Sequence, residues 1–123
     1  MIKILDADNI KLCSINKKYN KNFSLTPEYR GFKLLIKTMA KKKHIDPPLS
    51  ILIVMETALD IDASIKPIFD GLEGICFDND KDILDARILK RKIKRGHSGR
   101  LKIFADTIDI DEHNKIIDAM YEL

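Results

Sequence analysis

The sequence predicts an α/β fold of the mixed α+β kind: a single small domain in which a mixed sheet carries two core helices and a short C-terminal helix, in the order β-α-β-α-β-β-α. Three observations predict it. A dense aliphatic run, Leu49–Met55, reads as a central strand buried on both faces. Helical spacing of apolar residues follows a proline-marked start at Thr26 and recurs near residues 63–72. Two strand-like runs, about 83–94 and 100–108, flank a glycine-containing turn. At 123 residues the chain is one domain's worth, 1–123, with 109–123 as a helical extension.

Taken in order, residues 9–15 alternate apolar and polar as a half-buried strand does. The polar, basic stretch 15–24 then reads as a loop. Thr26, Pro27 and Glu28 supply a hydroxyl N-cap, a proline at the first helical position and an acid in the first turn. Tyr29, Phe32, Leu35, Ile36 and Met39 fall on one helical face, and Lys41–Lys43 end the helix where cations favour its dipole. Pro47-Pro48 closes the connection to the aliphatic strand. The second helix should bury Ile65, Ile68, Phe69 and Leu72. Pro67 is comfortable only within a first turn, which places the start at Asp62, Ala63 or Ser64. Gly74 breaks that pattern, and Asp78-Asn79-Asp80 is turn chemistry. The last two strands should form a hairpin through Arg95–Gly99, and the final helix, Asp111 to Tyr121, should turn Ile116, Ile117 and Met120 inward.

Composition excludes several classes. The chain is 45% apolar and 33% charged, which suits a globular protein and not a disordered one. No apolar run approaches the roughly 20 residues of a membrane span, and the N-terminus lacks signal-peptide organisation. Cys13 and Cys76 have no paired spacing and read as reduced thiols of a cytoplasmic protein. His44, His97 and His113 are scattered, with no triad or zinc partner. Net charge is +3, but its distribution is uneven. Residues 1–50 carry +7, residues 51–85 carry −7, residues 86–105 carry eight cations and no acid, and the last eighteen residues carry −5. An acidic block between basic flanks suits an enzyme that holds DNA with the flanks and metal with the carboxylates; charge runs are also the ordinary dress of solvated faces.

The informative segment is 60–83. Asp60 and Asp62, two apart at the end of a strand, can project to one side about 7 Å apart and converge on a hard cation. Asp80 arrives from the turn after the second helix, and Lys66 lies one helical turn beyond Asp62. Mg²⁺, or Mn²⁺ in its place, takes oxygen ligands of this kind and can activate water at a phosphate, with Lys66 steadying the added negative charge. The plainer reading is that Lys66 pairs along the helix with Asp62 or Asp70. An EF-hand reading of 78–89 fails, because Ile83 and Leu89 stand where glycine and glutamate are needed.

Asp60-x-Asp62, Lys66, Asp70-Gly71-Leu72, Gly74 and Asp80, with Ile83 opening a strand, resemble the RusA family of Holliday junction resolvases. Ser14-x-Asn16, Tyr19 and the Thr-Pro-Glu-Tyr helix start are similar to its N-terminal loop and first helix. Arg87, Lys90 and Arg95–Arg100 are similar to its basic hairpin, so the likeness spans about residues 9–108. Ala63, Asn79 and Asp82 depart from the family's asparagine, first aspartate and glutamine. The resemblance implies a Mg²⁺-dependent homodimer in a bacterial or phage-infected cell that cuts four-way junctions by paired nicks. Asp60, Asp62 and Asp80 would bind metal and Lys66 would assist. Lys17, Lys18, Lys21, Lys90, Arg91, Lys92, Lys94, Arg95 and Arg100 would contact DNA. A non-catalytic DNA-binding relative, and a regulatory protein whose acidic block binds a partner, are the alternatives.

Overall fold

The computed structural model describes residues 1–123 and bears out the predicted class. Four strands, β1 (Ile2–Ile10), β2 (Leu49–Thr57), β3 (Ile83–Lys92) and β4 (Gly99–Thr107), form one sheet in the order β1-β4-β2-β3. β4 runs antiparallel to both β1 and β2, while β2 and β3 are parallel and joined through a helix. Helices α1 (Pro27–Met39) and α2 (Ile61–Leu72) supply Tyr29, Phe32, Ile36, Ile68 and Leu72 to one core with the inward residues Ile51, Ile53, Met55, Leu101 and Ile103. The opposite sheet face has no helix on it. A third helix, α3 (Ile110–Tyr121), follows β4.

α1 begins as its residues dictate: Thr26 caps it by accepting from the Tyr29 N–H at 3.1 Å, with Pro27 in its first turn. Its inward face is narrower than predicted, since Leu35 and Met39 are exposed. β2 is central, but it alternates: Ile51, Ile53 and Met55 are buried, whereas Leu52 and Val54 are at least partly open. It is therefore not buried on both faces.

Four further expectations are corrected. The first strand is 2–10 rather than 9–15, because Ile4 and Leu5 are both buried across an irregularity that blurs the alternation. α2 begins at Ile61, ahead of every expected start, and takes Pro67 into its interior. Without a proline N–H the Ala63 carbonyl loses its helical donor, a cost that burial of Pro67 and Ile68 offsets. β3 and β4 are not a hairpin: β2 lies between them, so residues 93–98 cross the end of β2. Turn residues report a reversal of direction, not which strands become neighbours. Finally, Ile116, Ile117 and Met120 face solvent, and every α3 residue except His113 is exposed. Their spacing makes a stripe that this chain's own core does not use.

Candidate functional site

The crossing loop builds a cleft. Where β2 ends at Thr57, the chain passes through Ala58 and Leu59 to Asp60, and residues 93–98 pass over this segment. Several bonds fix it there. The Thr57 hydroxyl accepts from the Leu59 N–H at 3.1 Å, Lys90 Nζ donates to the Leu59 carbonyl at 2.8 Å, and the Ser64 hydroxyl donates to the Asp60 carbonyl at 3.0 Å. An open cleft of about 600 Å³ results, bounded by Asp60, Ser14, Asn16, Lys92, Lys94 and Arg95. A smaller hollow of about 320 Å³ continues it past Ser14 and Arg95 to Lys17 and His97. Ser14 caps a short 3-10 turn, Ile15–Lys17, by accepting from the Asn16 N–H, which holds this rim in place.

Asp60 and Asp62 are not strand neighbours. Asp60 is the N-cap of α2 and Asp62 lies in its first turn, so their side chains follow helical rather than strand directions. Asp60 makes no capping bond with its carboxylate, which is free in the cleft; Asp62 accepts from the Ala63 N–H at 3.0 Å. Both acids stabilise the positive end of the helix dipole.

Lys66 and Asp80 do meet, at 2.6 Å, and Lys66 also reaches Asp70 at 3.3 Å. Asp80 opens a 3-10 turn, Asp80–Asp82, whose cap is Asn79, accepting from the Lys81 N–H. That gives the departure at Asn79 a local purpose. Asp70 is the hub the sequence did not announce. It is buried, accepts from the Tyr29 hydroxyl, and pairs with Lys18 at 3.2 Å as well as with Lys66. Burial pushes its carboxyl up, but hydrogen bonds from Tyr29, Lys18 and Lys66 outweigh that and hold it below the usual carboxylate range. The bond to Asp80 chiefly holds the Lys66 ammonium above its ordinary value. Burial and the bond to Asp70 push the Tyr29 phenol up. The i,i+4 spacing of Lys66 and Asp70 was the one sequence signal for this network, and nothing local pointed to Tyr29 or Lys18.

The expected metal ligands are therefore not brought together. The one cluster of three carboxylates whose oxygens lie within 4.8 Å of one another is Asp70, Glu73 and Asp80. An all-oxygen set suits a hard divalent cation in chemistry. In position it does not, because Lys66 and Lys18 already pair with Asp70 and Asp80, and Asp60 and Asp62 lie outside it.

The expected DNA-contacting residues also divide. Lys92, Lys94 and Arg95 line the cleft, Lys17 lines its continuation, and Lys21 is exposed on the loop before α1. Lys18 is committed to Asp70 and lies 5.3 Å from the Tyr29 ring centre. Lys90 is committed to the Leu59 carbonyl. Arg91 and Arg100 sit on the far side of the sheet, clamped on Glu56 at 3.1 and 3.2 Å. Cys13 and Cys76 are free and buried, and no helix is long and apolar enough to cross a membrane. No protein-family model and no curated protein matches this chain.

Proposed function

We propose that this chain binds branched DNA in the cleft at the end of β2 and nicks it there, as a metal-dependent endonuclease similar to the RusA resolvases. The observation that supports this reading is the juxtaposition of the free Asp60 carboxylate with Lys92, Lys94 and Arg95 in one open cleft. The three cations would hold a phosphodiester backbone by charge, and Ser14 and Asn16 offer neutral hydrogen-bonding groups on the opposite rim. By the family likeness Mg²⁺ or Mn²⁺ would supply the activated water, with Asp60, Asp62, Asp80 and Lys66 as its protein partners. Because those carboxylates do not converge, no hydrolytic step is assigned to them. A two-fold dimer would present two such clefts to the two opposed strands of a four-way junction.

A second reading has its own observation. Lys66, held between Asp80 and Asp70, closes off the carboxylates a metal would need, as in a protein that binds junctions without cutting them.

Nicking of a labelled four-way junction with Mg²⁺ and then Mn²⁺, by wild type and Asp80→Asn, separates the two. Paired cuts that disappear in a variant still binding the junction support the nuclease. Tight binding with no cuts in either metal favours the binding protein, and no preference for branched over linear DNA rejects both.

A further inference from the structure

Two apolar surfaces of this chain have no cover, and they carry opposite charge. The first is the helix-free face of the sheet. There Leu52 pairs with Phe104 and Val54 with Leu89 across neighbouring strands, forming one apolar band. Val54 is 38% and Leu89 44% exposed. The band is edged by Arg87, Arg91, Arg100 and Lys102, and a hollow of about 360 Å³ opens beside Val54 and Leu89. The second surface is α3. Ile110, His113, Ile116, Ile117, Met120 and Tyr121 follow helical spacing and gather within an arc of about 140° at 100° per residue, the width of a core-facing stripe. Glu112 and Asp118 border that stripe on its two sides, and Asp109 caps the helix through the Asp111 and Glu112 N–H groups.

Charge and size both match. Arg87, Arg91, Arg100 and Lys102 edge the band, with Glu56 set among them and Asp6 beside Lys102, whereas α3 and its ends carry Asp109, Asp111, Glu112, Asp118 and Glu122 against Lys115. A helix of 12 residues is about 18 Å long, and four strands span about 14 Å centre to centre, so α3 is long enough to cross the whole sheet. The short link from Thr107 to Ile110 is tied down by the Ile108 N–H bonding to the Pro48 carbonyl at 3.0 Å, and α3 leads away from its own sheet.

We propose that α3 of one copy lies across the helix-free sheet face of a second copy, and that the exchange is reciprocal about a two-fold axis. This deepens the two-fold assembly of the reading above and borrows from it only the symmetry. Arg91 and Arg100 would then serve the dimer rather than DNA, which agrees with their place on the helix-free face and their hold on Glu56.

Sedimentation equilibrium of the full chain, without DNA, tests the proposal. Wild type should run at twice 14.1 kDa in the micromolar range. Ile117→Asp with Met120→Asp should give a monomer that keeps the β-sheet circular dichroism, as should Leu89→Asp. Mixing the two monomeric variants should restore a dimer held by one surviving contact, a rescue that general unfolding could not produce. A wild-type monomer at 100 μM overturns the proposal, whether α3 amides exchange freely or are protected by docking on their own sheet. So does a dimer that both variants leave intact. Neither result bears on whether the cleft nicks DNA, so the two proposals fail separately.

Discussion

Asp70 shows how one buried carboxylate can order a region without doing chemistry. Three donors converge on it from α2, α1 and the loop before α1, so its loss should be felt in stability. Removing the phenolic donor by Tyr29→Phe should lower the unfolding free energy by about 1.5–3 kcal/mol, the range for a hydrogen bond to a charged group, as read by urea denaturation. The pH dependence has a definite sign. Asp70 is held below its ordinary value in the fold, so its contribution is complete above the unfolded pKa of about 4 and is lost as pH falls through the lower folded value. Calorimetry from pH 5 down to pH 3 should therefore show a steeper fall in Tm for wild type than for Asp70→Asn. Cys76 behaves in the opposite way. Burial pushes its thiol to about 11, so it stays neutral and should resist iodoacetamide at pH 8 until the protein is unfolded.

Between elements, α1 approaches α2 closely at Gly71. A Cβ on Gly71 would lie 2.6 Å from Ile36 Cβ and 2.7 Å from its Cγ2, both close to the backbone and unable to swing aside. Gly71→Ala should cost about 1–3 kcal/mol, whereas Gly31→Ala, in open space on α1, should add about 0.5–1 kcal/mol. Paired denaturation curves check both signs. The same elements show what the sequence could reveal. α1 was legible because Thr26, Pro27 and Glu28 act on their own backbone within one turn. β1 was misplaced because two consecutive buried residues break the period on which strand reading depends. The pairing of β3 was hidden because a parallel partnership is decided by α2 packing across the sheet, not by the turn residues. The cleft inherits this: Lys92, Lys94 and Arg95 were visible as a basic run, but their meeting with Asp60 depends on a loop crossing β2 that no local motif encodes.

The cations of the molecule differ in their freedom. Lys92, Lys94 and Arg95 line the cleft without an ion pair, whereas Arg91 and Arg100 on the far side share Glu56. On the proposed reading, junction affinity should fall steeply with salt, and Lys92→Ala or Arg95→Ala should flatten that dependence by about one unit of slope each. Arg91→Ala should leave it unchanged. Filter binding between 50 and 200 mM salt distinguishes these outcomes. The order β1-β4-β2-β3 also has a consequence for how the chain is made. β4 is the last strand to be synthesised, yet it is the one that joins β1 to β2. Until residue 107 has emerged, the first strand has no neighbour and β2 keeps an open edge. The nascent chain thus passes most of its synthesis without a closed sheet, when exposed edges invite association. A product cut short before Gly99 has no native state to reach, and it belongs to the chaperones and proteases rather than to the cell's working protein.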